Sequence, residues 1–212
     1  MPLLNEKVAA DTKLILSGMR DPVLMTCFTR AGCHVCGHLV ELAGEMGALA
    51  PPALRIEARD LDADAAEAAR LGVSRAPALA LRRAGEERVP VRYLGLPSSH
   101  EFGAFLRALL VLSTGRGMPG VDAAAVASIT RPAVLTVFVL ATCPRCAEMV
   151  YLCSSIAAAS PLVTVEVVDA AVFPDLAEVQ RVGQVPLVII NGTTAVPEVV
   201  PAAALIARIA AA

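Results

Sequence analysis

Residues 134–149, VLTVFVLATCPRCAEM, carry the pattern that decides the fold. A β-branched apolar run leads through Ala141 and Thr142 into a Cys-x-x-Cys motif, and helix-forming residues follow it. This order predicts a strand, a short turn and a helix whose first turn holds Cys143 and Cys146. Pro144 suits the first helical position, because the N–H that proline lacks would have no partner there.

Residues 23–36, VLMTCFTRAGCHVC, repeat this pattern 110 residues earlier. Beyond the motifs, matched residues recur 109 apart, so a single-residue deletion aligns the two halves; the matched pairs are Asp60 and Asp169, Val73 and Val182, and Pro77 and Pro186. An internal repeat of this length predicts two units of the same fold.

Strands and helices alternate in both halves. In the first half we predict strands at residues 23–28, 54–58, 78–81 and 89–94 and helices at residues 7–17, 64–71 and 100–112, with Ser98 and Ser99 as possible caps of the last helix. In the second half we predict strands at residues 134–140, 163–168, 187–190 and 196–200 and helices at residues 174–182 and 201–209, with residues 121–129 in the place of the first helix. Such alternation is typical of a right-handed crossover between parallel strands followed by an antiparallel hairpin.

The sequence therefore predicts an α/β fold with two tandem units, each a central mixed sheet flanked by helices. Residues 113–120 contain three glycines and one proline and show no apolar period, which marks a boundary between units. We place the first unit at residues 1–116 and the second at residues 117–212.

The composition excludes several classes of function. The formal net charge is −2 and aromatic residues make up 3% of the chain, so nucleic acid is not an expected partner. No stretch approaches the roughly 20 apolar residues that span a bilayer, and charged residues near the amino terminus interrupt any secretory signal. We expect a cytoplasmic protein without a membrane partner, in which six cysteines indicate redox chemistry or metal binding.

The two motifs place their cysteines where a disulfide can open and close. Two intervening residues in a helical first turn bring the Cβ atoms near the roughly 3.8 Å that a disulfide needs. The first cysteine of each pair lies where unpaired amide N–H groups favour negative charge. We therefore expect Cys33 and Cys143 to attack as thiolates and Cys36 and Cys146 to resolve the mixed disulfide.

Two residues between the cysteines are expected to tune the thiol pKa. Arg145 adds a cation beside the Cys143 thiolate, and His34 does so beside Cys33 when it is protonated. Stabilising the thiolate makes a dithiol couple more oxidising.

Pro77 and Pro186 each precede an apolar strand, 44 and 43 residues after the first cysteine of their unit. This repeated spacing favours a role at the site. Cis peptide bonds at Ala76-Pro77 and Val185-Pro186 would turn the preceding backbone outward, where an extended substrate chain could pair with it.

The tandem Cys-x-x-Cys and Val-x-x-x-Pro units resemble two thioredoxin folds in one chain. Residues 75–77 (RAP), 91–97 (VRYLGLP) and 100–102 (HEF) closely resemble the protein disulfide oxidoreductase family, the glutaredoxin-like tandem proteins of thermophiles. The resemblance spans nearly the whole chain. It implies two units fused in one continuous sheet, thiol–disulfide exchange on protein disulfide substrates, and re-reduction by a thioredoxin-reductase-like flavoprotein. Redox-active disulfides would carry the electrons, with no bound cofactor.

Carried over residue by residue, the resemblance implies that Cys143 and Cys33 are nucleophiles, that Cys146 and Cys36 resolve, and that Pro77 and Pro186 are the cis prolines. The chain departs from the related patterns in two respects. Arg145 stands where the family usually has an aromatic residue. A thioredoxin has a buried carboxylate six residues before the first cysteine, a place held here by Cys27 and Val137.

Other polar and thiol residues are expected to have structural roles. The matched Asp60 and Asp169 lie at strand ends, where we expect solvated turn carboxylates. Cys27 lies inside a strand and Cys153 on the buried face of a helix, so packing is their expected role.

Two alternative functions remain open. A glutathione-coupled glutaredoxin would need an electropositive groove for the carboxylates of the tripeptide. A metal-binding thiol module would combine Cys33 and Cys36 with His34 and His38. These four residues are too closely spaced to wrap one ion easily, and the second unit has no histidine, so we expect no metal site.

Overall fold

The computed structural model describes residues 2–50 and 52–212, which form one mixed sheet of eight strands with helices on both faces. Its first half contains α1 (Glu6–Leu16), β1 (Val23–Thr29), α2 (Cys36–Leu49), β2 (Leu54–Asp60), α3 (Ala65–Leu71), β3 (Ala78–Arg83), β4 (Val91–Leu94) and α4 (His100–Thr114). After a 3₁₀ turn at Ala125–Ser128 come β5 (Ala133–Val139), α5 (Pro144–Ala159), β6 (Val163–Asp169), α6 (Pro174–Val179), β7 (Leu187–Ile190), β8 (Thr194–Val196) and α7 (Ala202–Ala211).

The strand order β2-β1-β3-β4-β6-β5-β7-β8 repeats one arrangement twice along the sheet. In each half a parallel pair is extended by an antiparallel hairpin, and parallel pairing of β4 with β6 joins the halves. The expected continuous sheet is therefore present. Because β1 and β5 run in the same direction, the loops that follow them lie at the same edge, four strand spacings or about 19 Å apart.

Each face of the sheet carries its own core. Along β1, Met25 and Cys27 face a large cluster built with α1, α2, α4, α5 and α7, whereas Phe28 faces a smaller cluster under α3 and α6. This alternation follows from the two-residue period of a strand.

Arginines reinforce the junction between the halves. Arg92 on β4 lies 3.3 Å from the Glu166 carboxylate on β6, and both side chains are largely buried. Arg88, in the β3–β4 connection, donates to the carbonyl of Ala157 at 2.8 Å and that of Ser160 at 2.9 Å. It also donates to the Val163 carbonyl, so it joins the end of α5 to the start of β6.

Prolines shorten two of the predicted strands. The strand predicted at residues 89–94 begins at Val91, because Pro90 has no N–H to add to a ladder. The strand predicted at residues 196–200 is instead Thr194–Val196, and Pro197 follows it directly. The turn at Asn191 and Gly192 between β7 and β8 has positive φ at both residues, as this type of hairpin requires.

Two helix expectations are wrong. Residues 121–129 do not match α1 and form only the 3₁₀ turn Ala125–Ser128, in which Asp122 Oδ1 accepts from the Ala125 amide. The side chain of Ser99 makes no capping hydrogen bond to α4. The amides that such a cap would bind donate to backbone carbonyls instead, Glu101 to Ser98 at 3.0 Å and Phe102 to Ser99 at 3.3 Å. The His100 amide donates to the Ala141 carbonyl of the second half at 3.2 Å.

Candidate active site

The second Cys-x-x-Cys motif occupies the amino terminus of α5, as its sequence predicts. Cys143 is the N-cap residue, and its Sγ accepts a hydrogen bond from the Cys146 amide at 3.2 Å. The two cysteines form a disulfide with Cα atoms 5.4 Å apart. Cys143 is half-buried and Cys146 fully buried, so an external thiol or disulfide reaches Cys143 first.

The first motif also forms a disulfide, between Cys33 and Cys36, with Cα atoms 5.5 Å apart. Its first cysteine is again half-buried and its second buried. The helix α2 begins only at Cys36, however, so Cys33 does not lie in a helical first turn as expected. His34 stands where the second motif has Pro144, whose ring fixes φ at a helical value.

Of the residues predicted to bind substrate, Val185 lies beside the second disulfide. Ala76-Pro77 and Val185-Pro186 are cis peptide bonds. Within the described residues, neither Ala76 nor Val185 forms a backbone hydrogen bond with another backbone group. The Val185 carbonyl oxygen lies 3.8 Å from Cys143 Sγ, which places an unpaired stretch of backbone next to the accessible sulfur.

The charged residues predicted near the motifs lie at the surface. Arg145 and His34 are both exposed, beside their respective disulfides. Arg75, two residues before Pro77, forms an ion pair with Asp175 at 2.6 Å and lies over the Phe173 ring. The loop before β3 is thereby tied to the start of α6 in the other half.

Sequence reasoning missed a buried acid in the first turn of α4. Glu101 is 2% exposed, and its Oε2 accepts a hydrogen bond from the Tyr93 hydroxyl at 2.9 Å. Its Oε1 has no partner among the described residues. The pKa of Glu101 is raised to about 7, chiefly by burial; the Tyr93 hydrogen bond opposes this shift and the nearby Asp169 charge adds to it.

The position of Glu101 brings this acid toward the second motif. The helices α4 and α5 pack side by side, and the amide of His100 binds the carbonyl of Ala141, two residues before Cys143. A sequence signal was available, because Glu101 precedes the apolar Ala104 and Phe105 by three and four residues and so shares their buried face.

Asp169 corrects a further expectation. It is 7% exposed rather than solvated, and burial raises its pKa, although hydrogen bonds from the Ala171 and Val172 amides oppose that shift. Its match Asp60 is half-exposed, and amide hydrogen bonds from Ala63 and Asp62 lower its pKa.

Two cysteines stand apart from the motifs. Cys27 and Cys153 are free thiols that are fully buried in the large cluster, as their expected packing role requires. Burial raises the pKa of each to about 12, so neither is a thiolate near neutral pH.

A groove of about 580 Å³ flanks the second disulfide on the α6 side. Its lining is mainly apolar and includes Leu140, Ala170 and Val185, with Glu178 and Arg181 as its two charged residues. Among residues 2–50 and 52–212, no group of three or more His, Cys, Asp or Glu residues is arranged to hold a metal ion. In the same part of the chain, no helix has the length and apolar character to cross a membrane.

Comparison with known proteins gives similarities in both sequence and structure. No family model matches the chain. In sequence, the alkyl hydroperoxide reductase component AhpF of Staphylococcus epidermidis is 28% identical over 122 residues, which cover 57% of this chain but only 23% of the relative.

Solved structures resemble nearly the whole chain. The NTD_N/C domain of the alkyl hydroperoxide reductase AhpF from Enterococcus faecalis superposes with a TM-score of 0.87 at 22% identity, covering 97% of this chain and 99% of that one. A protein disulfide oxidoreductase from Aeropyrum pernix superposes with a TM-score of 0.85 at 22% identity, covering 98% and 92%. These similarities confirm the tandem thioredoxin-like α/β fold that the sequence resemblance implied.

Proposed function

We propose that this protein is a thiol–disulfide oxidoreductase that acts on protein substrates through its two Cys-x-x-Cys pairs. One observation carries the proposal. The accessible Cys143 stands at a helix amino terminus, with the buried Cys146 behind it and the unpaired backbone of Val185 beside it. In this proposal Cys143 attacks, Cys146 resolves and the Val185 backbone binds the client.

Reduction of a client proceeds in two exchanges. The Cys143 thiolate attacks one sulfur of the client disulfide, forming a mixed disulfide and releasing the other client sulfur as a thiolate. Cys146 then attacks Cys143 Sγ, which releases the second client thiolate and forms the Cys143–Cys146 disulfide. The client gains two electrons and the protein loses two. The reverse sequence oxidises a client dithiol.

The second exchange requires Cys146 to lose its proton in a buried position. We propose Glu101 as the acceptor, because it is a buried acid next to His100, whose amide binds the Ala141 carbonyl two residues before Cys143. Its pKa of about 7 suits proton transfer near neutral pH. In the first unit, Cys33 and Cys36 would perform the same exchanges, with Ala76 and Pro77 beside them.

Protein clients fit the groove beside Cys143 better than glutathione does, although Arg145 adds one exposed cation next to the thiol. The flanking groove pairs one cation, Arg181, with one anion, Glu178, and so gives the two carboxylates of glutathione no net positive charge. The proposal includes a cytoplasmic setting, where thiols such as Cys27 persist in reduced form. It also includes re-reduction of both disulfides by a thioredoxin-reductase-like flavoprotein.

Insulin reduction driven by dithiothreitol tests the proposal. We expect the wild-type protein to accelerate insulin precipitation and the double variant Cys33→Ser/Cys143→Ser to lose that acceleration, because no attacking thiolate remains. The buried thiols provide the control, since Cys153→Ser should retain activity. Brief alkylation of the reduced protein at neutral pH should label Cys143 or Cys33 first. Parental activity in the double variant would overturn the proposal.

A further inference from the structure

The residues near the two disulfides differ in exposure between the halves, and the repeat identifies which positions correspond. Three positions under α3 and α6 match between the halves. In the first half they hold Leu61, Ala68 and Val73, which are 5%, 3% and 4% exposed. In the second half they hold Ala170, Ala177 and Val182, all half-buried and all lining the groove of about 580 Å³.

Side-chain size explains part of this difference. Leu61 is larger than Ala170 and is buried, whereas Ala170 at the matched position lines the groove. Leu140 also lines the groove, and its match in the first half is Arg30. The Arg30 guanidinium forms an ion pair with the Asp62 carboxylate at 2.7 Å. The matched positions of the first half are therefore buried and accompanied by an ion pair, whereas those of the second half line an open and mainly apolar groove.

The open groove is continuous with the backbone expected to receive the client. Val185 lines one side of it, and the Val185 carbonyl lies 3.8 Å from Cys143 Sγ. A client strand paired with this backbone directs alternate side chains to the same side, and such strand addition takes its specificity from pockets for those side chains. The groove has a volume within the range of pockets that accept a small molecule, so it has room for a large side chain and its adjoining backbone.

We propose that this groove is a specificity pocket for an apolar client side chain close to the cystine, and that it is open at Cys143 but closed at Cys33. The inference rests on the proposed function and adds to it a class of client for the second site. Clients with leucine-like residues beside a disulfide bind at Cys143, and Cys33 shows no such preference.

A pair of peptide disulfides tests this pocket. The peptides are identical except that the two residues before the half-cystine are leucine in one and serine in the other. Each is mixed in excess with fully reduced protein that carries Cys33→Ser/Cys36→Ser, and the single-turnover rate is followed against peptide concentration. Because burying an apolar side chain is worth enough to change affinity by an order of magnitude, we expect the leucine peptide to half-saturate at about a tenfold lower concentration.

Filling the groove should abolish that preference. Ala170→Leu, which introduces the residue of the first half, is expected to raise the half-saturating concentration for the leucine peptide to that of the serine peptide. The maximal rate should stay unchanged. Ala171→Leu adds the same atoms at the exposed neighbouring residue, outside the groove lining, and should keep the preference. Equal rates with 2-hydroxyethyl disulfide would show that each variant is folded and its dithiol intact.

The outcomes separate the pocket from the proposed function. Equal half-saturation by the two peptides, or a leucine preference that survives Ala170→Leu, overturns the pocket while exchange itself stands. Failure of both peptides and of insulin to react overturns the function and the pocket with it. In the reciprocal background, Cys143→Ser/Cys146→Ser, a leucine preference equal to that of the second site would overturn the claimed difference between the sites.

Discussion

Asp60 and Asp169 are matched residues that receive different environments from the fused sheet. Asp60 ends β2, which is an edge strand, and its carboxylate stays half-exposed. Asp169 ends β6, which has β4 and β5 on its two sides, and it is buried beside Glu101 and Tyr93. The two sites thus differ in buried acidity, although their disulfides have nearly the same Cα separation.

The raised pKa of Glu101 predicts how stability depends on pH. The folded-state pKa is about 7, against 4.5 for an unperturbed carboxyl, so the folded protein binds more protons than the unfolded chain between these values. Glu101 therefore contributes most to the free energy of unfolding below pH 4.5, and its contribution is lost as pH rises through 7. The loss is on the order of 3 kcal/mol.

Replacing Glu101 with glutamine removes this ionisation but keeps an acceptor for the Tyr93 hydroxyl. We expect the free energy of unfolding of Glu101→Gln, from urea titrations between pH 4.5 and 8, to lack the wild-type decline. Glu148→Gln, at an exposed carboxylate on α5, is the control. Single-turnover exchange at Cys143/Cys146 should also lose a rate dependence near pH 7. An unchanged pH profile in both measurements would contradict the assigned role.

At the scale of elements, α5 is held at its carboxyl end by an arginine from the other half. The Arg88 guanidinium donates to the carbonyls of Ala157 and Ser160, groups that lack an intrahelical partner at a helix end. Because hydrogen bonds from a charged donor are worth about 1.5 to 3 kcal/mol each, loss of these two bonds in Arg88→Met should lower the free energy of unfolding by about 3 to 6 kcal/mol.

Chemical denaturation at neutral pH checks this prediction. Arg55→Met is the matched control, since Arg55 is exposed on the edge strand β2 and its loss should change the free energy of unfolding little. A decrease no larger for Arg88→Met than for the control would show that the cap contributes nothing to stability.

The elements that sequence predicted well are those whose signals are local. The periodic run at residues 23–28 became β1 with one residue added, and Asn191-Gly192 became the predicted hairpin turn. Residue patterns failed where a partner distant in sequence decides the structure. Asp169 is buried because β4 joins β6, which places it inside the fused sheet rather than at its edge.

The same distinction applies to the candidate site. The cysteine spacing and its place after a strand are local features, so both disulfides could be predicted, as could the prolines beside them. The groove could not be predicted, because its lining residues lie in separate segments that meet only in the folded chain, at Leu140, Ala170 and residues 174–185.

At the scale of the whole molecule, fusion through β4 and β6 places the two sites at the carboxyl ends of β1 and β5, on the same side of a single sheet. Four strand spacings, about 19 Å, separate the ends of β1 and β5, so the two disulfides are too far apart to exchange with each other directly. The boundary between residues 1–116 and 117–212 stays a prediction, but the shared ladder ties the stabilities of the two halves together.

This coupling predicts that the halves unfold in one cooperative transition. Separation of β4 from β6 would expose two strand edges and leave Arg92 and Glu166 without each other, so neither half should lose its structure alone. Hydrogen exchange followed by mass spectrometry across a urea series should show β1 and β5 losing protection at the same midpoint. Arg92→Glu, which sets two carboxylates against each other at the junction, should lower both midpoints together, with a loss of roughly 3 kcal/mol. Two separate midpoints in the wild-type protein would show that the ladder joins the halves without coupling them.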